Sequence, residues 1–254
     1  MYFNNVHIII YAIISIIGLI IGRIVAWSII RLPEKNKIIS FEFFKNPELN
    51  KFSTYLYMIL VALIYIAVLY KFGLDKEDIF KNLELIKFLC LIPMLIITFV
   101  VDLKHRIIPN RLTLTIFETG IIFTFLYGIN NINLAKEYLL GSLIGVTIFG
   151  LITLLGGVLA GREAMGLGDV KFMGAIGLFY GINPIIEISI MSFIIAAICS
   201  IFILIYRLIR KEKDDYIPFG PFLSLSSLAC ILLPSGFIFE SFLYFCSIIG
   251  SKLF

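Results

Sequence analysis

Apolar residues fall in long runs separated by short clusters of charge. The runs lie near Val6–Ile30, Thr54–Tyr70, Leu85–Val101, Leu112–Ile129, Leu139–Ala160, Val170–Ile182, Pro184–Tyr206 and Phe219–Leu233. A hydrocarbon core of about 30 Å is crossed by about 20 residues at about 1.5 Å each, so the pattern predicts an all-α, polytopic membrane protein with about eight transmembrane helices. The sixth run is short for a full crossing and predicts a short or broken helix, tolerated at depth only when buried in protein or lining a cavity. A ninth apolar stretch, Gly236–Gly250, carries Glu240 and is expected on the membrane surface. The first run lacks a basic leader and a small-residue cleavage site, so it is expected to remain as a helix.

Composition supports this reading: 60% of residues are apolar and 15% charged, against about 25% charged in soluble domains. The net charge of +4 bears on topology. Lys and Arg gather in alternate loops, among them Lys35, Lys37, Lys104, Arg106, Arg162 and Lys211, which places the N-terminus outside and those loops in the cytoplasm. No basic run carries interleaved aromatics, so no nucleic-acid partner is expected; the partner that composition implies is the lipid bilayer. Cys90, Cys199, Cys230 and Cys246 stand apart with no CxxC pair and are read as packing residues. His7 and His105 are far apart in sequence, so no metal site is expected. Without a repeat, low-complexity tract or soluble insert, residues 1–254 are read as a single integral membrane domain.

Two further features predict helix contacts. The small-residue spacing Gly141-x3-Gly145, followed by Gly150, Gly156 and Gly157, suggests close packing of the fifth helix. Arg23 and Glu118 are charges well inside the first and fourth runs, at similar expected depth. They are expected to pair; otherwise Arg23 reaches the interface, and Glu118 is protonated or faces a polar cavity.

The chemistry of interest begins at Gly161-Arg162-Glu163-Ala164-Met165-Gly166-Leu167-Gly168-Asp169-Val170-Lys171. An aspartate where apolar sequence resumes is costly unless solvated, paired or protonated, which makes a functional reading the default. Gly166 and Gly168 would let a backbone approach Asp169, and they also permit tight turns. The plainer reading is a glycine turn capped by Asp169. A second aspartate, Asp102, ends the third run before Leu103-Lys104-His105-Arg106-Ile107-Ile108-Pro109-Asn110. Pro109 stiffens that turn, and Asn110 is expected to cap the fourth helix. Asp102 could interact with Lys104 or Arg106, but the topology also puts it at the same cytoplasmic depth as Asp169. Adjacent carboxylates share a proton, so one can take a proton from water while the other polarises or protonates a scissile carbonyl, needing no metal.

These two stretches resemble the signatures of type IV prepilin peptidases, polytopic GxGD aspartic proteases. Gly22 with Arg31-Leu32-Pro33 is similar to the end of that family's first helix, and Ile217-Pro218-Phe219-Gly220-Pro221-Phe222-Leu223 to the start of its last. The resemblance implies Asp102 and Asp169 as the catalytic pair, with Gly166, Gly168, Lys171, Pro109 and Asn110 supporting the substrate site. It implies residues 85–206 as peptidase core, and pilin or pseudopilin precursors as substrates, cut after a short basic leader at the cytoplasmic face of a bacterial inner membrane. Many members carry a paired-cysteine zinc domain after the first helix and methylate the new N-terminus with S-adenosylmethionine. Here residues 31–53 form a short cytoplasmic loop without cysteine, and Ala26 and Arg23 stand where the family usually has Asn and Ser. Zinc is therefore not expected, and methyl transfer is in doubt. Alternatives are another GxGD protease cutting within the membrane, or a non-catalytic transporter or scaffold.

Overall fold

The computed structural model describes residues 2–3, 6–34, 43, 47–75, 79–160, 165–210 and 217–234. Among the described residues eight α-helices follow one another: α1 (Ile8–Arg31), α2 (Phe52–Phe72), α3 (Ile79–His105), α4 (Asn110–Asn130), α5 (Ile132–Ala160), α6 (Leu167–Tyr180), α7 (Ile182–Arg210) and α8 (Gly220–Leu232). Each apolar run forms one helix. Six are long and apolar enough to cross a membrane. The sixth is short, as its sequence predicts, at 14 residues, and α8 is also short, at 13. Residues 236–250 and 161–164 lie outside the described residues.

Ahead of α1 the expected helix start is replaced by a two-residue antiparallel ladder, β1 (Tyr2–Phe3) with β2 (Val6–His7). His7 ends the ladder and accepts a hydrogen bond from the Ile9 N–H through Nδ1, so a side chain satisfies one donor of the first helical turn.

The short α6 is enclosed. Phe172, Met173, Ile176 and Phe179 are fully buried, with α5 on one side and α4 on another. Burial on several sides explains how a helix too short to span can be apolar all round. The predicted contacts of Gly141 and Gly145 are with this helix. A side chain on Gly141 would meet the Gly181 backbone, and one on Gly145 the Met173 carbonyl. Gly177 answers from α6 against the backbone of Gly141 and Ser142, so the two helix backbones touch there, while Gly174 makes room for the Val146 side chain. The pattern does not continue: Gly150 has only Val170 at contact distance and Gly157 has open space. A similar seam joins α1 to α2, where Gly18 and Gly22 lie against the backbone of Ala62 and Met58.

Arg23 and Glu118 do not pair. Helix α1 packs on α2 and α3, whereas Glu118 is on the exposed face of α4. The Arg23 guanidinium lies over the Phe43 ring instead, 5.7 Å from its centroid. Lys87 is inside α3 and 2% exposed. Its ammonium donates to Tyr138 Oη at 3.2 Å and sits near the rings of Phe88, Tyr127 and Tyr138. Cys90 is exposed on the outer surface of α3, not packed inside; Cys230 does pack against the core.

Candidate active site

Helix α3 ends at His105, and Asp102 is therefore in its last turn rather than at its terminus. The Arg106 N–H bonds back to the Asp102 carbonyl at 2.8 Å, and Arg106 takes φ 57°. A non-glycine residue in the left-handed region costs about 1–2 kcal/mol, and it turns the chain sharply at the helix end. Pro109 then precedes α4 in extended conformation, with its carbonyl accepting from Leu112 and Thr113 N–H. The turn folds Ile108 over α6. A side chain on Gly168 would touch Ile108 Cβ at 3.4 Å, so the glycine lies beside this turn and leaves room for an ordinary contact.

Asp169 occupies the first turn of α6, with Gly166 as N-cap. Its own N–H bonds to the Gly166 carbonyl at 3.0 Å, and its carboxylate turns back toward Gly166, with Oδ2 3.4 Å from where a Cβ on that glycine would stand. The plain and the functional readings of Asp169 are therefore compatible: a carboxylate in the first turn suits the helix N-terminus and is still available for chemistry. Asp102 and Asp169 are 5% and 6% exposed, and the charge of Asp102 acts directly on Asp169. The two aspartates, far apart in sequence, lie toward the same end of the bundle.

Asn110 does not cap α4. It is the first helical residue, Pro109 holds the cap position, and no side chain caps there. The Asn110 Oδ1 accepts instead from Lys171 Nζ at 3.3 Å, an exposed tie between α4 and α6 from a lysine two residues after Asp169. A shallow cavity of about 300 Å³ opens beside this tie, lined by Thr113, Leu114 and Phe117. A cavity of about 930 Å³, lined by Lys71, Glu84, Lys87, Tyr180 and Glu187, lies elsewhere. Tyr180 is at the far end of α6 from Asp169, about 16 Å along the helix axis.

One contact was not visible as chemistry in the sequence. The Gly220 N–H, at the start of α8, donates to Asp102 Oδ2 at 2.9 Å. The only signal for it was the Pro-Phe-Gly-Pro stretch, which marks a helix start. Among the described residues no three His, Cys, Asp or Glu side chains gather as a metal would require.

The architecture and the site define a polytopic helical membrane protein with two buried aspartates, from different helices, toward one end of the bundle. A family model described as the type IV leader peptidase family matches residues 89–201, a span that contains both. Leader peptidase HopD of Escherichia coli is 30% identical over 145 residues, covering 55% of this chain and 86% of that protein. A prepilin leader peptidase/N-methyltransferase of Xanthomonas campestris is 30% identical over 127 residues, 50% of this chain and 42% of the relative. A type 4 prepilin-like proteins leader peptide-processing enzyme of Escherichia coli is 31% identical over 143 residues, 56% and 50% respectively. The chain spans about half the length of several of the curated relatives it matches. No solved structure matches it. The chain belongs to the type IV leader peptidase family.

Proposed function

We propose that the protein is a prepilin leader peptidase, with Asp102 and Asp169 as its aspartic pair and residues 85–206 as the core of a single membrane domain. The observation that carries this reading is that two buried aspartates, from α3 and α6, lie toward the same end of the bundle, with the charge of Asp102 felt at Asp169. In this reading the two carboxylates share a proton. The ionised partner takes a proton from the attacking water, and the protonated partner donates to the scissile carbonyl oxygen as the tetrahedral centre forms. Collapse of that centre breaks the peptide bond, and the proton held by the base passes to the leaving amine. Gly166 leaves room beside the Asp169 carboxylate, Gly168 and Pro109 keep the α3–α4 turn against α6, and Lys171 with Asn110 ties α4 to α6.

The substrates are pilin or pseudopilin precursors, in keeping with the relatives' names. Cleavage takes place at the cytoplasmic face of the inner membrane, with the N-terminus of the enzyme outside, as the bias of Lys and Arg among the loops favours. The charged substrate leader then stays in water while its apolar part remains in the bilayer.

S-adenosylmethionine is implied by the relatives named as N-methyltransferases. The cavity between α1, α2 and α3 is lined by Lys51 and Lys104, with Ser53, Thr54 and Tyr57. Its volume of about 230 Å³ is below the about 300 Å³ at which small-molecule sites begin. Two ammonium groups also oppose a sulfonium cation, and among the described residues no carboxylate lines it to receive one. These residues do not fit the cofactor, and no methyl-transfer step is routed through them. The test is co-expression of a tagged prepilin with this protein: loss of the leader supports the peptidase, whereas an uncut precursor beside well-inserted enzyme refutes it.

A further inference from the structure

We infer that Gly220 is a positioning residue for Asp102, its backbone N–H fixing the carboxylate in the orientation that cleavage uses. This rests on the reading of Asp102 as one of the catalytic pair. The first N–H groups of any helix lack partners within that helix. At the start of α8 they are disposed of one by one. Pro221 has no N–H. Those of Phe222 and Leu223 turn back to the Phe219 carbonyl, at 3.0 and 3.3 Å. The Gly220 N–H is left pointing outward, and it crosses to Asp102 Oδ2 at 2.9 Å. Both residues are buried, so water does not compete well for either group. The N-terminal end of a helix also favours a negative charge, which suits a carboxylate at that position.

Glycine is required at 220 for space. A Cβ built there would be 2.6 Å from Asp102 Oδ2, 3.0 Å from Cγ and 3.2 Å from Cβ, so any other residue drives the carboxylate off the N–H. The preceding residue fixes where the donor stands. The Phe219 ring packs on Phe193 of α7 and Phe149 of α5, with centroids 5.1 and 6.2 Å away. In the Phe-Gly-Pro sequence the phenylalanine therefore anchors the helix start, the glycine donates, and the proline offers no competing donor.

The experiment uses the full chain in nanodiscs with a prepilin substrate and compares wild type, Gly220→Ala, and a backbone ester at position 220. The ester is made by incorporating glycolic acid in place of glycine and removes the N–H without adding bulk. Steady-state cleavage, thermal unfolding and the isotope-edited infrared carboxyl band of Asp102 are measured, the band being assigned by its loss in Asp102→Asn. Both changes should lower kcat by about 10²-fold, the scale of a 1 Å misplacement of a catalytic group, with KM unchanged. Both should also shift the Asp102 band. Wild-type kcat in the folded ester overturns the positioning role. So does a fall in kcat with an unmoved band, because that is a structural effect. If Gly220→Ala fails to insert, the ester decides alone. Activity retained by Asp102→Asn refutes the underlying catalytic reading instead.

Discussion

Replacing Gly177 with alanine tests whether backbone contact between α5 and α6 places Asp169. A Cβ on Gly177 would fall within 2.5 Å of the Gly141 carbonyl carbon and of Ser142 Cα, both backbone atoms of α5 that have no rotamer to change. Carbon atoms rest at about 3.5–4.0 Å, so the helices must part by about 1 Å. Overpacking of this kind costs about 1–3 kcal/mol. Gly157→Ala is the control on α5, because nothing lies within 4 Å of the added carbon. Exchanging glycine for alanine there should stabilise the helix by up to about 1 kcal/mol. The two variants should therefore differ by about 1–4 kcal/mol in reversible unfolding in nanodiscs. Cleavage by Gly177→Ala should fall by about 10²-fold, since Asp169 rides on the displaced α6. If Gly177→Ala unfolds no earlier than Gly157→Ala, the close seam is not what holds α6.

Three other outcomes are expected. Gly168→Ala should keep its stability within about 0.5 kcal/mol, since its Cβ makes only an ordinary contact with Ile108; a large loss of thermal stability would contradict that geometry. The cleaved product should carry an unmodified N-terminus in intact-mass analysis, because the short loop over residues 31–53 has no paired cysteines and Ala26 and Arg23 stand where the family it resembles usually has Asn and Ser; a product heavier by one methylene group would overturn this. Chelators should leave cleavage unchanged, as a two-carboxylate mechanism uses no metal; activity lost on chelation and restored by zinc would count against it.

The helices were legible because lipid and helix length together leave few choices for an apolar run. Boundaries were less so where charges lie inside helices. Helix α3 begins at Ile79, not Leu85, because Lys81, Glu84 and Lys87 are helical residues, and the burial of Lys87 depends on tyrosines from α4 and α5. Gly141 and Gly145 announced the α5 seam, but their partner was not apparent, since small residues recur on several helices. Pairing Arg23 with Glu118 from depth alone failed because depth does not tell which helices touch; α1 never packs extensively on α4. Within the site, Asp102 and Asp169 were readable as costly charges in apolar sequence. The role of Gly220 was not, because a backbone N–H leaves no mark on a side-chain pattern. Asn110 carried a capping signal, yet its amide accepts from a lysine 61 residues away.

The most direct test of the paired-carboxylate account is leader removal from a prepilin by wild type, Asp102→Asn and Asp169→Asn at matched levels of inserted protein. Each substitution keeps the shape of the side chain and removes one member of the proton-sharing pair. The account predicts mature pilin with wild type and uncut precursor with either variant. Near-normal processing by either one would contradict it.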